Sequence, residues 1–291
     1  MPDHPTSPFV VTAAGGAGLA RSATRSSAFR RPSRALRIPA SLPDDTDMRS
    51  RAVALASRSD AVFWGPTAAE LLGLPLPYRL TDLDVHVLVP EGMPRPRRAG
   101  VRPRQADIVT GEISIIDGLP VTSPARTFVD LAAFVSLPDL VAIGDVVQRR
   151  YRTSVRELSH VHGRRLRYPG KVLARKAIPL LDPRAESPQE SRLRIHLIED
   201  GLPCPQVNMV ITDEFGGFIA RGDLVYDRWR IVIEYDGEVH SDPMRRMADA
   251  TRRTLLRELD WYVVEIVAGD LRQPHRARAK VRAALRSRGA I

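Results

Sequence analysis

One cysteine, Cys204, occurs in 291 residues. That excludes a disulfide framework and fits a reducing cytoplasm. Lysine is almost as scarce, with Lys171, Lys176 and Lys280 as the whole complement. No stretch approaches the roughly 18 consecutive apolar residues of a membrane-crossing helix. Phe9-Val10-Val11 is too short for the apolar core of a secretion signal. Acidic residues are in deficit as well: 34 Asp and Glu face 44 Lys and Arg, which leaves a net charge of +10. The surplus is clustered. Residues 1–43 hold six arginines against Asp3, and residues 269–291 hold six arginines and Lys280 against Asp270. Such clusters favour a polyanion through counterion release, and nucleic acid is the usual one. Arginine-rich codon usage explains the choice of arginine over lysine, but not the surplus.

The length suggests about two domains. Residues 1–45, rich in Ser, Pro, Ala, Gly and Arg without apolar periodicity, read as a disordered basic arm. Residues 46–182 read as a mainly helical region. Val53, Leu55 and Ala56 belong to a first short helix, and Pro66 opens a second that stops at Gly73. The pair suits a helix-turn-helix, with Val85-His86-Val87-Leu88-Val89 as the strand of a wing. Thr67 would then face DNA, and the loop carrying Arg95, Arg97 and Arg98 would reach its backbone. A hairpin is expected from Ile113 to Val121, turning at Asp117-Gly118, and Ser123-Pro124 opens a further helix. Residues 183–291 form a separate domain. It opens on Ser187-Pro188-Gln189-Glu190, a capping box with proline at the first helical position.

Within that domain, residues 220–240 read as two strands around a polar turn at Asp227-Arg228. That turn pairs Tyr226 with Trp229 and sets Asp223 opposite Val232. Strand side chains alternate, so Asp223, Val232, Glu234 and Asp236 share one face, and Leu224, Tyr226, Ile231, Ile233 and Tyr235 share the other. A fold does not gather carboxylates for stability. A divalent cation removes their repulsion, and hard oxygen ligands suit magnesium, with manganese as substitute.

Asp223 followed by Glu234-Tyr235-Asp236-Gly237 and His240 resembles the restriction-endonuclease-like superfamily with the PD-(D/E)-x-K core. Within it, these residues more closely resemble a branch related to very-short-patch repair endonucleases. That resemblance implies an α/β domain of order α-β-β-β-α-β-α with a mixed sheet. It also implies a metal-dependent DNA endonuclease, of use in phage defence or DNA repair. Asp223, Glu234, Asp236 and Glu190 would hold the metal, and it would activate a water for attack on the phosphate. The superfamily's lysine is replaced here by Asp236, and His240 is the substitute base. Glu190 also has its capping role open to it. Arg252 and Arg253 either meet DNA phosphate or balance the carboxylates.

Gly65-Pro66-Thr67-Ala68-Ala69-Glu70-Leu71-Leu72-Gly73-Leu74-Pro75 resembles the winged-helix region of abortive-infection type IV antitoxin-like proteins. It implies the rival function, a non-catalytic DNA-binding regulator with a relic nuclease-like domain. Expected partners are DNA and either a toxin or a second copy of the chain, with no membrane.

Overall fold

The structure, a computed structural model, describes residues 5–12, 19–57, 60–81, 84–236 and 252–291. Two compact units form: Met1–Val135 with Arg156–Ala174, and Ser136–Val155 with Arg175–Ile291.

The first unit begins with β1 (Phe9–Val10), β2 (Phe29–Arg30) and β3 (Leu36–Pro39), a small sheet in the order β1-β3-β2. The stretch expected to be a disordered arm is therefore folded where it is described. Its few apolar residues are far apart in sequence but meet in space: Phe9 and Phe29 stack edge-to-face at 5.4 Å, and Leu19, Leu36 and Ile38 are buried. Contacts of that range leave no local periodicity to read.

Next come α1 (Thr46–Ala54), β4 (Val62–Phe63), α2 (Gly65–Leu71), β5 (Val85–Val89), β6 (Val101–Gln105), β7 (Ile113–Ile116), β8 (Leu119–Thr122) and α3 (Pro124–Leu131). The five strands make one sheet in the order β6-β5-β4-β8-β7. The expected mainly helical region is thus a mixed α/β unit. The two short helices are present, but β5 is an interior strand, buried along its whole length, and not an exposed wing. An uninterrupted apolar run is the mark of a strand covered on both faces. Asp117 and Gly118 both have positive φ, 46° and 84°, as a two-residue hairpin turn of this kind requires.

The unit is locked by a buried ionic cluster. Arg126 on α3, 1% exposed, donates to Glu112 at 2.6 Å and to Asp130 at 2.9 Å. Arg165, just past α5 (Val155–Arg164), donates to Asp130 at 3.0 Å. Burial pushes the Asp130 carboxyl up and the Arg165 guanidinium down, against the attraction between them. The chain turns back after α5 through Gly170, φ 81°, where a Cβ would stand 2.2 Å from the Ala132 carbonyl. No other residue fits there.

The second unit holds α4 (Leu137–Tyr151), the end of α6 (Lys171–Ala177), α7 (Pro188–Glu199), β9 (Gln206–Thr212), β10 (Phe218–Tyr226), β11 (Ile231–Asp236), α8 (residues 252–258), β12 (Tyr262–Val267), α9 (Ala268–Arg272) and α10 (Pro274–Ser287). Helix α4 groups here through Asp145, which accepts from Arg194 at 2.9 Å and from the Asp182 N–H at 2.7 Å. From α7 onward the order is the expected α-β-β-β-α-β-α with the short α9 added. The sheet runs β12-β11-β10-β9, antiparallel except for the β11–β12 pair. One face packs Leu224, Tyr226, Ile231 and Ile233 against Leu193 and Leu197 of α7 and Val281 and Leu285 of α10. The opposite face packs Val225 and Val232 against Leu256 of α8 and Trp261.

Arg126→Met takes from Glu112 its 2.6 Å partner and leaves Asp130 with Arg165 alone. Removing one partner of such a cluster costs about 3–5 kcal/mol. A melting curve should drop by roughly 10 °C for a unit of this size. A fall of less than about 2 °C would show that the cluster does not hold the unit together.

Candidate functional site

The hairpin turn is longer than the sequence suggests. Residues 227–229 form a helical turn, Arg230 adopts the left-handed conformation, and Tyr226 pairs with Ile231 in place of Trp229. The correction amounts to two residues, so every side chain keeps the face expected for it. Continuing the pairing Leu224↔Ile233 by one step sets Asp223 opposite Glu234 rather than Val232. A Cβ at Gly222 would stand 2.4 Å from Val232 Cγ2, so only glycine lets β10 approach β11 at this point.

Three carboxylates converge on this hairpin. Asp223 accepts from the Tyr235 N–H at 2.8 Å. Burial is the main cause that pushes its carboxyl up to about 6, and the charges of Glu190 and Glu234 act in the same direction. Glu190 is buried at the start of α7. Its Oε2 accepts from the Glu186 N–H and from Asn208 Nδ2, both at 2.9 Å, and its own N–H donates to Ser187 Oγ at 3.2 Å. Only half of the expected capping box forms: Ser187 caps through the Glu190 N–H, while the Glu190 side chain reaches past Ser187 to the Glu186 N–H and is left close enough to Asp223 to act on its charge. Asn208 was not marked by any sequence signal. It sits in β9 with φ 47°, a conformation that asparagine tolerates better than most residues, and that turns its amide onto Glu190.

Glu234, 6% exposed, is held by arginine. Arg252 approaches it with both terminal nitrogens, at 2.5 and 3.3 Å, in the forked geometry that guanidinium and carboxylate share. Arg253 Nε lies 3.5 Å from the same carboxylate, and its Nη1 lies 3.0 Å from Glu265. Glu265 carried no sequence signal either. It pairs with Glu234 across β11 and β12, which places both on one face. Of the two roles open to Arg252 and Arg253, these ion pairs are the charge balance. Among the described residues, no group of three or more His, Cys, Asp or Glu is arranged to hold a metal ion. Asp236 is on the same strand face but exposed, and His240 lies outside the described residues.

The DNA-contact expectations for the first unit divide. Thr67 is only 2% exposed, and its hydroxyl accepts from the His86 N–H at 2.9 Å, so it is a core residue. Its helix is buried from Gly65 to Ala69. The loop is different. Arg95 and Arg97 are exposed and, with Pro94, Pro96 and Pro103, line an open groove of about 780 Å³. Arg95 is braced by Gln105 at 3.0 Å. Arg98 is turned inward, donating to the Arg34 carbonyl at 2.6 Å.

Residues 60–173 match the family described as AbiEi antitoxin C-terminal domain. Two relatives from Mycobacterium tuberculosis, "Uncharacterized protein MT2308" of strain CDC 1551 / Oshkosh and "Uncharacterized protein Rv2248" of strain ATCC 25618 / H37Rv, are each 32% identical over 226 residues, covering 76% of this chain and 82% of theirs. The crystal structure of the RV2827C protein from Mycobacterium tuberculosis is 14% identical with a TM-score of 0.43, over 71% of this chain and 84% of that one. No helix among the described residues is long and apolar enough to cross a membrane.

Asp223→Asn tests the electrostatics of the site. A carboxyl whose pKa rises on folding destabilises the fold once it is ionised. That cost is absent below the ordinary value of 3.8, grows as pH rises toward about 6, and is complete above it. In chelator, the variant should therefore gain about 1–3 kcal/mol at pH 7.5 and nothing at pH 4. A gain that does not depend on pH would show that Asp223 is not strained by charge.

Proposed function

The chain belongs to the family of the mycobacterial proteins Rv2248 and MT2308, and within it we propose a DNA-binding regulator of the antitoxin type. The observation that carries this reading is the match of residues 60–173 to the AbiEi antitoxin domain. The groove at Arg95 and Arg97 supports it, since exposed guanidinium groups on a proline-stiffened loop suit phosphate. The second unit then serves as a folded platform, its carboxylates balanced by Arg252 and Arg253. A regulator of this type implies a toxin as its counterpart.

A second reading is favoured by one observation, the gathering of Glu190 and Glu234 beside Asp223, whose carboxyl is raised to about 6. In that reading Asp223 and Glu234, with Asp236 or Glu190, would hold Mg²⁺ once Arg252 releases Glu234, and the cation would supply an activated water for phosphodiester hydrolysis. His240 would be the base.

Duplex binding measured by fluorescence anisotropy in EDTA separates the two. The regulator binds without metal, its affinity falls steeply with salt, and a plasmid incubated with Mg²⁺ or Mn²⁺ stays supercoiled. Replacing Arg95 and Arg97 by alanine should lower the salt slope by about 0.9 for each phosphate no longer neutralised. Binding that needs metal, with nicking that Asp223→Asn abolishes, would replace the first reading by the second.

A further inference from the structure

Helix α10 sorts its positive charges in a way that the fold alone does not require. It contains no acidic residue over Pro274–Ser287. The basic residues on its flanks are each met by an acid from elsewhere in the unit. Asp200 takes Arg282 at 2.5 Å and Arg278 at 3.6 Å, Asp270 takes Lys280 at 2.6 Å, and just beyond the helix Asp260 takes Arg288 at 2.9 Å. Ala277, Val281, Ala284 and Leu285 fill the core side. On the outer side stand Arg276, Ala279, Ala283 and Arg286, all exposed. Neither of these two arginines forms an ion pair among the described residues, although Asp270 lies within the field of Arg276. At 100° per residue the four positions fall within an arc of about 80°, and the two arginines are about 15 Å apart along the axis.

An exposed charge is usually solvated and means nothing more. Here the acids of the unit neutralise the flanking residues and leave one clear cationic face. Between its two guanidinium groups there are only methyl side chains, so a rigid polyanion can come close and still meet both of them. We propose that this face of α10 is a second DNA-docking surface. Arg276 and Arg286 would each take a phosphate on opposite sides of a duplex groove, the major groove being about 12 Å wide. The contacts are to backbone only, so the surface adds affinity and salt dependence without sequence preference. This inference rests on the DNA-binding reading above and supplies its partner for the second unit.

The test compares the full chain with R276A/R286A by anisotropy on two unrelated duplexes, across a salt series. Both positions are exposed and unpaired, so the melting temperature should not move. The variant should bind each duplex at least several-fold more weakly at physiological salt, equally for both sequences, with a salt slope lower by about 2. If the parent binds and the variant keeps its affinity and slope, the docking surface is wrong while the DNA-binding reading stands. If the parent does not bind duplex DNA at all, that reading falls and takes this one with it. Vesicles of anionic lipid provide the remaining arm. Parent binding to vesicles that R276A/R286A abolishes, with DNA affinity unchanged, would overturn the proposal in favour of a membrane surface.

Discussion

Asp223 and Glu234 face each other across two hydrogen-bonded strands, and like charges in that position repel. Burial sharpens the repulsion, and Glu190 adds a third negative group from the start of α7. The second unit depends on how that repulsion is offset. The sheet cannot move the groups apart: Leu224, Tyr226, Ile231 and Ile233 must stay on the α7 and α10 face, and a shift of one residue would bury every wrong side chain. The offset has to be a cation. In this chain Arg252 and Arg253 provide it to Glu234 from α8, the same helix whose Leu256 closes the core on that face.

The first unit solves a similar problem with the same chemistry. Arg126 joins Glu112 and Asp130 in the interior, and Arg165 returns from the end of α5 to complete the set. An arginine keeps its charge when buried and offers a fork that matches a carboxylate, whereas a lysine loses its proton more readily. In a chain with only three lysines, these interior positions hold the cation better suited to them. Among the arginines left at the surface are Arg95, Arg97, Arg276 and Arg286, the ones proposed here to meet a phosphate backbone.

Much of the second unit was legible because its signals are local. The alternation around Asp223 and Glu234, the Ser187 cap and the run before Glu234 each lie within a dozen residues, and each predicts the element found. Even the turn, misjudged by two residues, kept every face because the error was even. The rest depends on long-range contacts. Nothing in the spacing of Phe9, Leu19 and Phe29 announces a small sheet. The apolar run of β5 reads equally as a wing strand or an interior one, and burial decides for the interior. Thr67 has the residue type and helix position of a DNA contact, yet its hydroxyl is committed to the His86 backbone. At the carboxylates, sequence showed that a cation was needed and named arginine among the candidates, but the choice rests on where α8 folds.

Arg252 and Arg253 pair with Glu234, and Arg253 also with Glu265, and we propose that they take the place a metal would have at these carboxylates. Calorimetric titration of the metal-free chain with Mn²⁺ at pH 7.5 tests it most directly. The account predicts no saturable heat from the wild type, and the appearance of binding when Arg252 and Arg253 are both replaced by alanine. Saturable one-to-one binding by the wild type that Asp223→Asn removes would contradict it.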